Sequence, residues 1–184
     1  MRFPPVPETD EYLSEKEVVG WGIVLTGGER QKGGMSGFRS FMDVALLEAR
    51  AAGARGEVPV GAVVVSPSGL VVAQAGNRTR ELCDPTAHAE VLAIRAACMA
   101  ARSERLLGHD LYVTLEPCVI CAGAISAARI ARLYYGAADP KSGGVAQGAR
   151  VFVHPQCHHV PEVYEGIGAV EAEAVLKDFF AARR

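Results

Sequence analysis

The chain has 184 residues, of which 49% are hydrophobic and 22% charged, with a formal net charge of −2. This composition suits one compact domain with a buried core and excludes a wholly disordered chain. The slightly negative charge gives no support to a protein that binds nucleic acid through overall basicity. Charged side chains interrupt residues 1–20, and no apolar run reaches the roughly 18 residues that a membrane span needs. We therefore expect a cytoplasmic protein without a membrane segment, whose five unevenly spaced cysteines bind metal more readily than they form disulfides.

The first 38 residues differ from the rest of the chain. They contain Pro4-Pro5, a run of acidic residues and two glycine pairs, without a clear helical or strand period. We predict that residues 1–38 are a poorly ordered N-terminal extension. The regular patterns begin near Ser40, which places a single folded domain over residues 39–184.

Helical and strand patterns alternate along this domain. Ser40 and Asp43 resemble a capping pair for the first helix, and Thr86 is a good N-cap for the second. The patterns predict helices at 40–54, 86–101, 117–129 and 171–182, and strands at 58–65, 70–74, 111–115, 130–135 and 150–154. Strands that alternate with helices indicate an α/β protein, built as a three-layer α/β/α sandwich.

Two short motifs carry the chemistry. His88-Ala89-Glu90 is followed, after 26 intervening residues, by Pro117-Cys118-Val119-Ile120-Cys121. Cysteines three residues apart at a helix start share one face, and the helix N-terminus favours their thiolate form. His88, in the first turn of the preceding helix, supplies a third ligand. Three protein ligands leave one tetrahedral position for water, which is the arrangement of catalytic zinc.

Glu90 then has a task of its own. Zinc lowers the pKa of a bound water from 15.7 to about 7. A neighbouring carboxylate that is not itself a ligand can take the water's proton, pass it to a ring nitrogen and assist the leaving amine. Taken singly, Glu90 is as easily a surface charge, His88 a capping histidine, and the cysteine pair a redox pair or half of a zinc ribbon. The combination favours a catalytic zinc site.

The signature His-x-Glu…Pro-Cys-x-x-Cys is that of zinc nucleobase deaminases. Further segments resemble the bacterial tRNA-specific adenosine deaminase family, and the resemblance covers residues 40–184. Those segments are residues 57–62, 76–78, 84–90, 112–118, 135–141 and 178–180.

The resemblance implies a cytidine-deaminase-like fold with a central mixed five-stranded sheet, and a homodimer with one Zn²⁺ per subunit. It implies that the wobble adenosine in a tRNA anticodon stem-loop is converted to inosine. By position, the zinc ligands are His88, Cys118 and Cys121, and the proton shuttle is Glu90. By position also, Asn77 contacts the flipped nucleoside, the backbone around Val60 and Ala89 lines the pocket, and Asp139 lies beside the anticodon loop. The closing helix, with Phe179, Phe180, Arg183 and Arg184, helps to position RNA.

Two other functions stay open at this point. A deaminase of a free base or nucleoside, such as guanine, cytosine or cytidine, would carry the same zinc signature. A non-catalytic zinc module would need a fourth protein ligand, for which Cys83 is the candidate. The cluster of His154, Cys157, His158 and His159 is expected to be a surface loop and not a second metal site.

Overall fold

A computed structural model describes residues 40–183 of the protein. The predicted extension over residues 1–38 lies outside the described residues. The helices are α1 (Met42–Ala54), α2 (Ala89–Ala101), α3 (Val119–Ala127) and α4 (Ala169–Ala181). The strands are β1 (Gly61–Val65), β2 (Val71–Gly76), β3 (Asp110–Leu115), β4 (Arg132–Ala137) and β5 (Glu162–Tyr164), and a 3₁₀ turn covers Val151–Val153.

The five strands form one mixed sheet in the order β2-β1-β3-β4-β5. The hairpin β1–β2 and the pair β1–β3 are antiparallel, whereas β3, β4 and β5 run parallel. The parallel pairing follows from the connections, because a helical crossover joins β3 to β4 and a long segment joins β4 to β5. The predicted mixed five-stranded sheet is confirmed.

Helices cover both faces of the sheet, which confirms the three-layer sandwich. On one face α2 and α3 pack against Ala62, Val64 and other residues of the central strands. On the other face α1 and α4 pack against Val63, Val65 and the opposite side of the same strands. Strand β1 is buried on both faces, which explains why its sequence is a run of valines and not an alternating pattern.

Helix α1 approaches the sheet closely at Gly61. A Cβ atom placed on Gly61 would lie 2.0 Å from the carbonyl oxygen of Ala45 and 2.5 Å from the amide nitrogen of Ala49. The backbone of α1 therefore rests directly on the first residue of β1, and only glycine fits there.

One predicted strand is wrong. Residues 150–154 were predicted as the fifth strand, but Val151–Val153 form the 3₁₀ turn and the fifth strand is Glu162–Tyr164. The apolar run at 151–153 serves to bury Phe152 in the core. Strand β5 has only three residues, all exposed, so no periodic pattern marks it.

The starts of two helices also differ from the prediction. Helix α2 begins at Ala89 with His88 as its N-cap. The amide and hydroxyl of Thr86 both bond to Asp84 Oδ1, which uses Thr86 in a turn before the helix. Helix α3 begins at Val119 with Cys118 as its N-cap. In the part of the chain that the structure describes, no helix is long and apolar enough to cross a membrane.

Candidate metal and active site

The N-termini of α2 and α3 meet at one edge of the sheet. His88 and Cys118 are the N-cap residues of these two helices, and Cys121 lies in the first turn of α3. The side chains of the three residues converge, with Cys121 buried and the other two partly exposed. Because each helix presents the positive end of its dipole here, the site favours thiolate and carboxylate groups.

The side chains of His88, Cys118 and Cys121, which we call the metal group, have the spacing of zinc ligands. The Nδ1 atom of His88 lies 3.5 Å from Sγ of Cys118 and 3.4 Å from Sγ of Cys121, and the two sulfurs are 3.6 Å apart. Zn–N bonds of about 2.0 Å and Zn–S bonds of about 2.3 Å place tetrahedral ligands roughly 3.3–3.8 Å apart. The observed triangle matches one face of such a tetrahedron, and its one nitrogen and two sulfur donors suit zinc better than magnesium or calcium.

Hydrogen bonds among the three side chains shift their pKa values in different directions. Hydrogen bonding to Cys121, and then to His88, holds the pKa of Cys118 down to about 4. The hydrogen bond with Cys118 and burial together raise the pKa of Cys121. The Cys118 bond also raises the pKa of His88, with the charge of Glu90 adding to it. These bonds favour the thiolate form of Cys118, and zinc binding would displace the protons of Cys121 and His88, since zinc takes thiolate and neutral imidazole.

Glu90 is the buried carboxyl beside this group. It is the second residue of α2 and only 4% of its surface is exposed. Burial raises the pKa of Glu90 to about 7, and its side chain hydrogen-bonds with Cys121. A carboxyl with a pKa near neutrality, next to a candidate metal site, suits proton transfer in both directions.

Asn77 is hydrogen-bonded to both Val60 and Ala89, next to the metal group. The Oδ1 atom of Asn77 accepts a 2.8 Å hydrogen bond from the amide of Ala89, the first residue of α2. The amide of Asn77 donates to the carbonyl of Val60 over 3.0 Å. All three residues are buried. Asn77 therefore fixes the start of the helix that carries His88 and Glu90.

Asp139 lies in a segment that follows β4 and contacts the metal group through its backbone. The carboxylate of Asp139 accepts bonds from the amides of Lys141 and Ser142. Four residues further along, Gly143 forms an isolated antiparallel bridge with Cys118. Asp139 is therefore connected to the metal group through this segment, and its own side chain closes the turn.

Two buried glutamates hold the loops that flank the site, and the sequence patterns gave them no role. Glu57 accepts bonds from Thr79 Oγ1 and from the amides of Arg80 and Glu81. Burial opposes ionisation of Glu57, but these hydrogen bonds hold its pKa below the usual value. Glu116 accepts bonds from four amides of the 139–147 segment. The available signal was a charged residue beside a buried strand, a position where charge is rare unless it is paired.

The remaining candidates fall outside the group. Within residues 40–183, His88, Cys118 and Cys121 are the only cluster of three or more metal-binding side chains, and Cys83 is exposed and not part of it. The thiol of Cys157 hydrogen-bonds to Ser126 and to the carbonyl of His159, so this cysteine joins its loop to α3. In α4 the ring of Phe179 stacks under the Arg183 guanidinium at 3.6 Å, while Phe180 is half exposed.

Comparison with known families agrees with this geometry. Residues 35–137 match the family model of the cytidine and deoxycytidylate deaminase zinc-binding region, which is over half of the chain. The match includes all three candidate ligands and Glu90. The fold and the site thus define a zinc-dependent deaminase, and zinc is confirmed as the predicted cofactor.

Similar individual proteins identify which kind of deaminase this chain resembles. The chain is 60% identical over 144 residues to the tRNA-specific adenosine deaminase of Agrobacterium fabrum, covering 78% of this chain and 94% of that one. It is 43% identical to the same enzyme of Rickettsia bellii, over 76% of this chain and 97% of that one. A solved structure from studies of A-to-I editing by tRNA:A34 deaminases at the wobble position is 61% identical with a TM-score of 0.73, covering 74% of this chain and 98% of that one. The chain belongs to the tRNA-specific adenosine deaminase family.

The role of Asn77 at the start of α2 can be tested by stability. In Asn77→Ala the buried amide of Ala89 loses its acceptor, so we expect the free energy of unfolding to fall by about 1–2 kcal/mol. Asn77→Asp is the matched control, because an aspartate oxygen keeps the bond. Urea unfolding of the zinc-loaded proteins measures both values. Equal stability of Asn77→Ala and the wild type would contradict this role.

Proposed function

We propose that this protein deaminates the wobble adenosine of a tRNA anticodon loop to inosine, with His88, Cys118 and Cys121 as zinc ligands and Glu90 as the proton shuttle. One observation carries the proposal. The three ligand atoms form one face of a tetrahedron beside a buried carboxyl, in a chain 60% identical to a tRNA-specific adenosine deaminase.

The ligands and Glu90 divide the reaction between them. Zinc held by these three side chains would lower the pKa of a water molecule from 15.7 to about 7. Glu90 takes a proton from the attacking water and delivers it to a ring nitrogen of adenine as the oxygen bonds to C6. Glu90 then takes a second proton, from the new C6 hydroxyl, and gives it to the amino group; the C–N bond breaks as the C6 carbonyl forms, and ammonia leaves. Water is consumed, inosine and ammonia are formed, and Glu90 ends in its starting state.

The substrate pocket uses residues placed next to α2. The Oδ1 atom of Asn77 is engaged by Ala89, so its Nδ2 group is the donor that we assign to the flipped nucleoside. Val60 and Ala89 are buried and bonded through Asn77, which suits them to shape the pocket wall. We place Asp139 beside the anticodon loop, because its segment bridges to Cys118.

We expect RNA binding to depend on positively charged side chains near the site, because the net charge of the chain is slightly negative. Arg78 and Arg80 lie on the loop that Glu57 holds, and the amide of Arg78 bonds to the residue preceding His88. Lys141 is exposed on the segment that follows β4. Arg78 pairs with Glu81 over 3.4 Å, whereas Arg80 and Lys141 are exposed. Such cations suit contacts to the phosphates near an unpaired, splayed-out base, which is how proteins recognise single-stranded RNA loops. An anticodon stem-loop offers such a base.

The rest of the assignment concerns the chain as a whole. We place the deaminase domain at residues 39–184 and the protein in the cytoplasm, where tRNA is available. The five cysteines are all unpaired, as a reducing compartment requires.

We also propose a homodimer formed through α3. Val119 and Ile120 are half exposed on this helix, next to Cys118, and Val153 is exposed nearby. A cleft of about 610 Å³ lies beside them. Exposed apolar side chains grouped in this way are typical of a protein contact surface. A second copy docked there would lie beside the site.

The dimer can be tested by sedimentation equilibrium. We expect the wild-type protein to sediment as a dimer and the Ile120→Glu variant as a monomer, because a charge would be buried in the contact. A wild-type monomer would contradict the proposed dimer.

The substrate can be tested directly. We expect the zinc-loaded protein to form inosine in an anticodon stem-loop bearing a wobble adenosine. Free adenosine, cytidine and guanine, assayed beside it, should stay unchanged. Turnover of a free base or nucleoside with the stem-loop untouched would keep the chemistry and reject the RNA substrate.

Paired variants separate proton transfer from metal binding. Glu90→Ala should keep the fold and one zinc per subunit, and should lose at least about 100-fold in kcat, the scale of a general acid-base contribution. Cys118→Ser should instead lower the zinc content of the purified protein, with Cys83→Ser as the exposed-cysteine control. Stem-loop kinetics and metal analysis measure both. Turnover by zinc-loaded Glu90→Ala at the wild-type rate would remove Glu90 from its role.

A further inference from the structure

The buried carboxylate of Glu116 is bonded to both ends of the segment 139–147. Its Oε2 atom accepts from the amide of Asp139 at 3.1 Å, at the start of the segment. Its Oε1 atom accepts from the amides of Val145, Ala146 and Gln147 at 2.8–3.1 Å, at the end of the segment. Only 2% of Glu116 is exposed. Four donors on one buried carboxylate make a strong and directional attachment.

The same segment lies directly against the metal-binding end of α3. Gly143 pairs with Cys118, and the amide of Gly144 donates to the carbonyl of Pro117 over 2.8 Å. A Cβ atom on Gly143 would lie 2.6 Å from Glu116 Oε1, and one on Gly144 would lie 2.8 Å from the amide of Val119. The two glycines therefore allow an approach that no other residue could make.

We propose that Glu116 is a positioning residue, which fastens segment 139–147 against Cys118 and thereby fixes both that ligand and the side chains of the segment that we assign to RNA contacts. Glu116, Pro117 and Cys118 are consecutive, so the carboxylate ties the segment to the chain that carries the ligand. The exposed side chains of the segment, including Lys141, Ser142 and Gln147, are then held beside the partly exposed Cys118. The part played by RNA in this inference rests on the proposed function.

Glu116→Gln tests this attachment with a small change. The amide oxygen of glutamine can replace Oε1 and keep three bonds, but its NH₂ group would face the N–H of Asp139, and two donors cannot bond. Glu57→Gln is the matched control on the other flanking loop. There the new NH₂ group would face the Thr79 hydroxyl, which can turn and accept. Gly143→Ala is a second variant, which displaces the segment without changing any hydrogen-bonding group.

Three measurements on the full-length protein decide the matter. In the zinc-loaded Glu116→Gln and Gly143→Ala proteins we expect faster amide exchange across 139–147, with one zinc per subunit retained. In the cobalt-substituted proteins the thiolate-to-metal absorption band should shift, because Cys118 has moved. KM for the stem-loop should rise roughly tenfold, the scale of one lost charge-assisted hydrogen bond, with kcat changed much less. Glu57→Gln should leave the band and the exchange of 139–147 as in the wild type.

The contrary results are equally distinct. A cobalt band and a KM that match the wild type in both variants, despite faster exchange, would show that Glu116 only stabilises the fold. The same shift in Glu57→Gln would show a general loosening and would also overturn the proposal. Exchange and the cobalt band are read without RNA, so they decide the role of Glu116 even if the stem-loop proves not to be the substrate.

Discussion

The active site depends on the meeting of two helix N-termini at one edge of the sheet. Strand β3 leads through Glu116 and Pro117 into α3, and β2 leads through Asn77 toward α2. The first residues of the two helices bring one imidazole and two sulfurs within 3.6 Å of each other. The positive dipole ends of both helices make this edge favourable for negative charge, so two cysteines and a glutamate can be gathered there. Had either helix begun one residue later, its ligands would face another direction, since successive helical residues differ by about 100°.

That arrangement must be held from behind, and different kinds of bond hold the two helices. Asn77 accepts the first amide of α2 through its side chain, so a neutral amide sets the position of His88 and Glu90. Helix α3 is held at Cys118 by the backbone of Gly143 and Gly144, and Glu116 secures that backbone. The oxygen atoms that hold the two helix starts, Oδ1 of Asn77 and the carboxylate of Glu116, are therefore bonded within the protein. This preorganisation keeps ligands in place without a large rearrangement when a metal or a substrate binds.

Local features of the site could be predicted from sequence, and long-range ones could not. The spacing of Cys118 and Cys121 fixes their relation through helix geometry alone, and the structure brings both close to His88, as predicted. Strand β5 was not predicted because its three exposed residues show no periodic pattern. The valines on both sides of Phe152 have a high strand propensity, so the 3₁₀ turn there was predicted as a strand. The start of α2 was placed at Thr86 because its bond to Asp84 is invisible in a pattern of residue types. The bonds of Glu57 and Glu116 join residues more than 20 positions apart, so their role exists only in the folded chain.

Three glutamates are buried around this edge of the sheet, and their hydrogen bonds separate their roles. Glu57 accepts three bonds from its loop and Glu116 accepts four, which compensates each carboxylate for the loss of water. Carboxylates bonded in this way act as anchors for their loops. Glu90 is as buried as they are but lacks a comparable set of amide donors, and burial raises its pKa to about 7. A carboxyl that can gain or lose a proton near neutral pH is unsuited to anchor a loop and well suited to move protons. The contrast among the three residues, and not burial alone, supports our proposal that Glu90 is the group that moves protons.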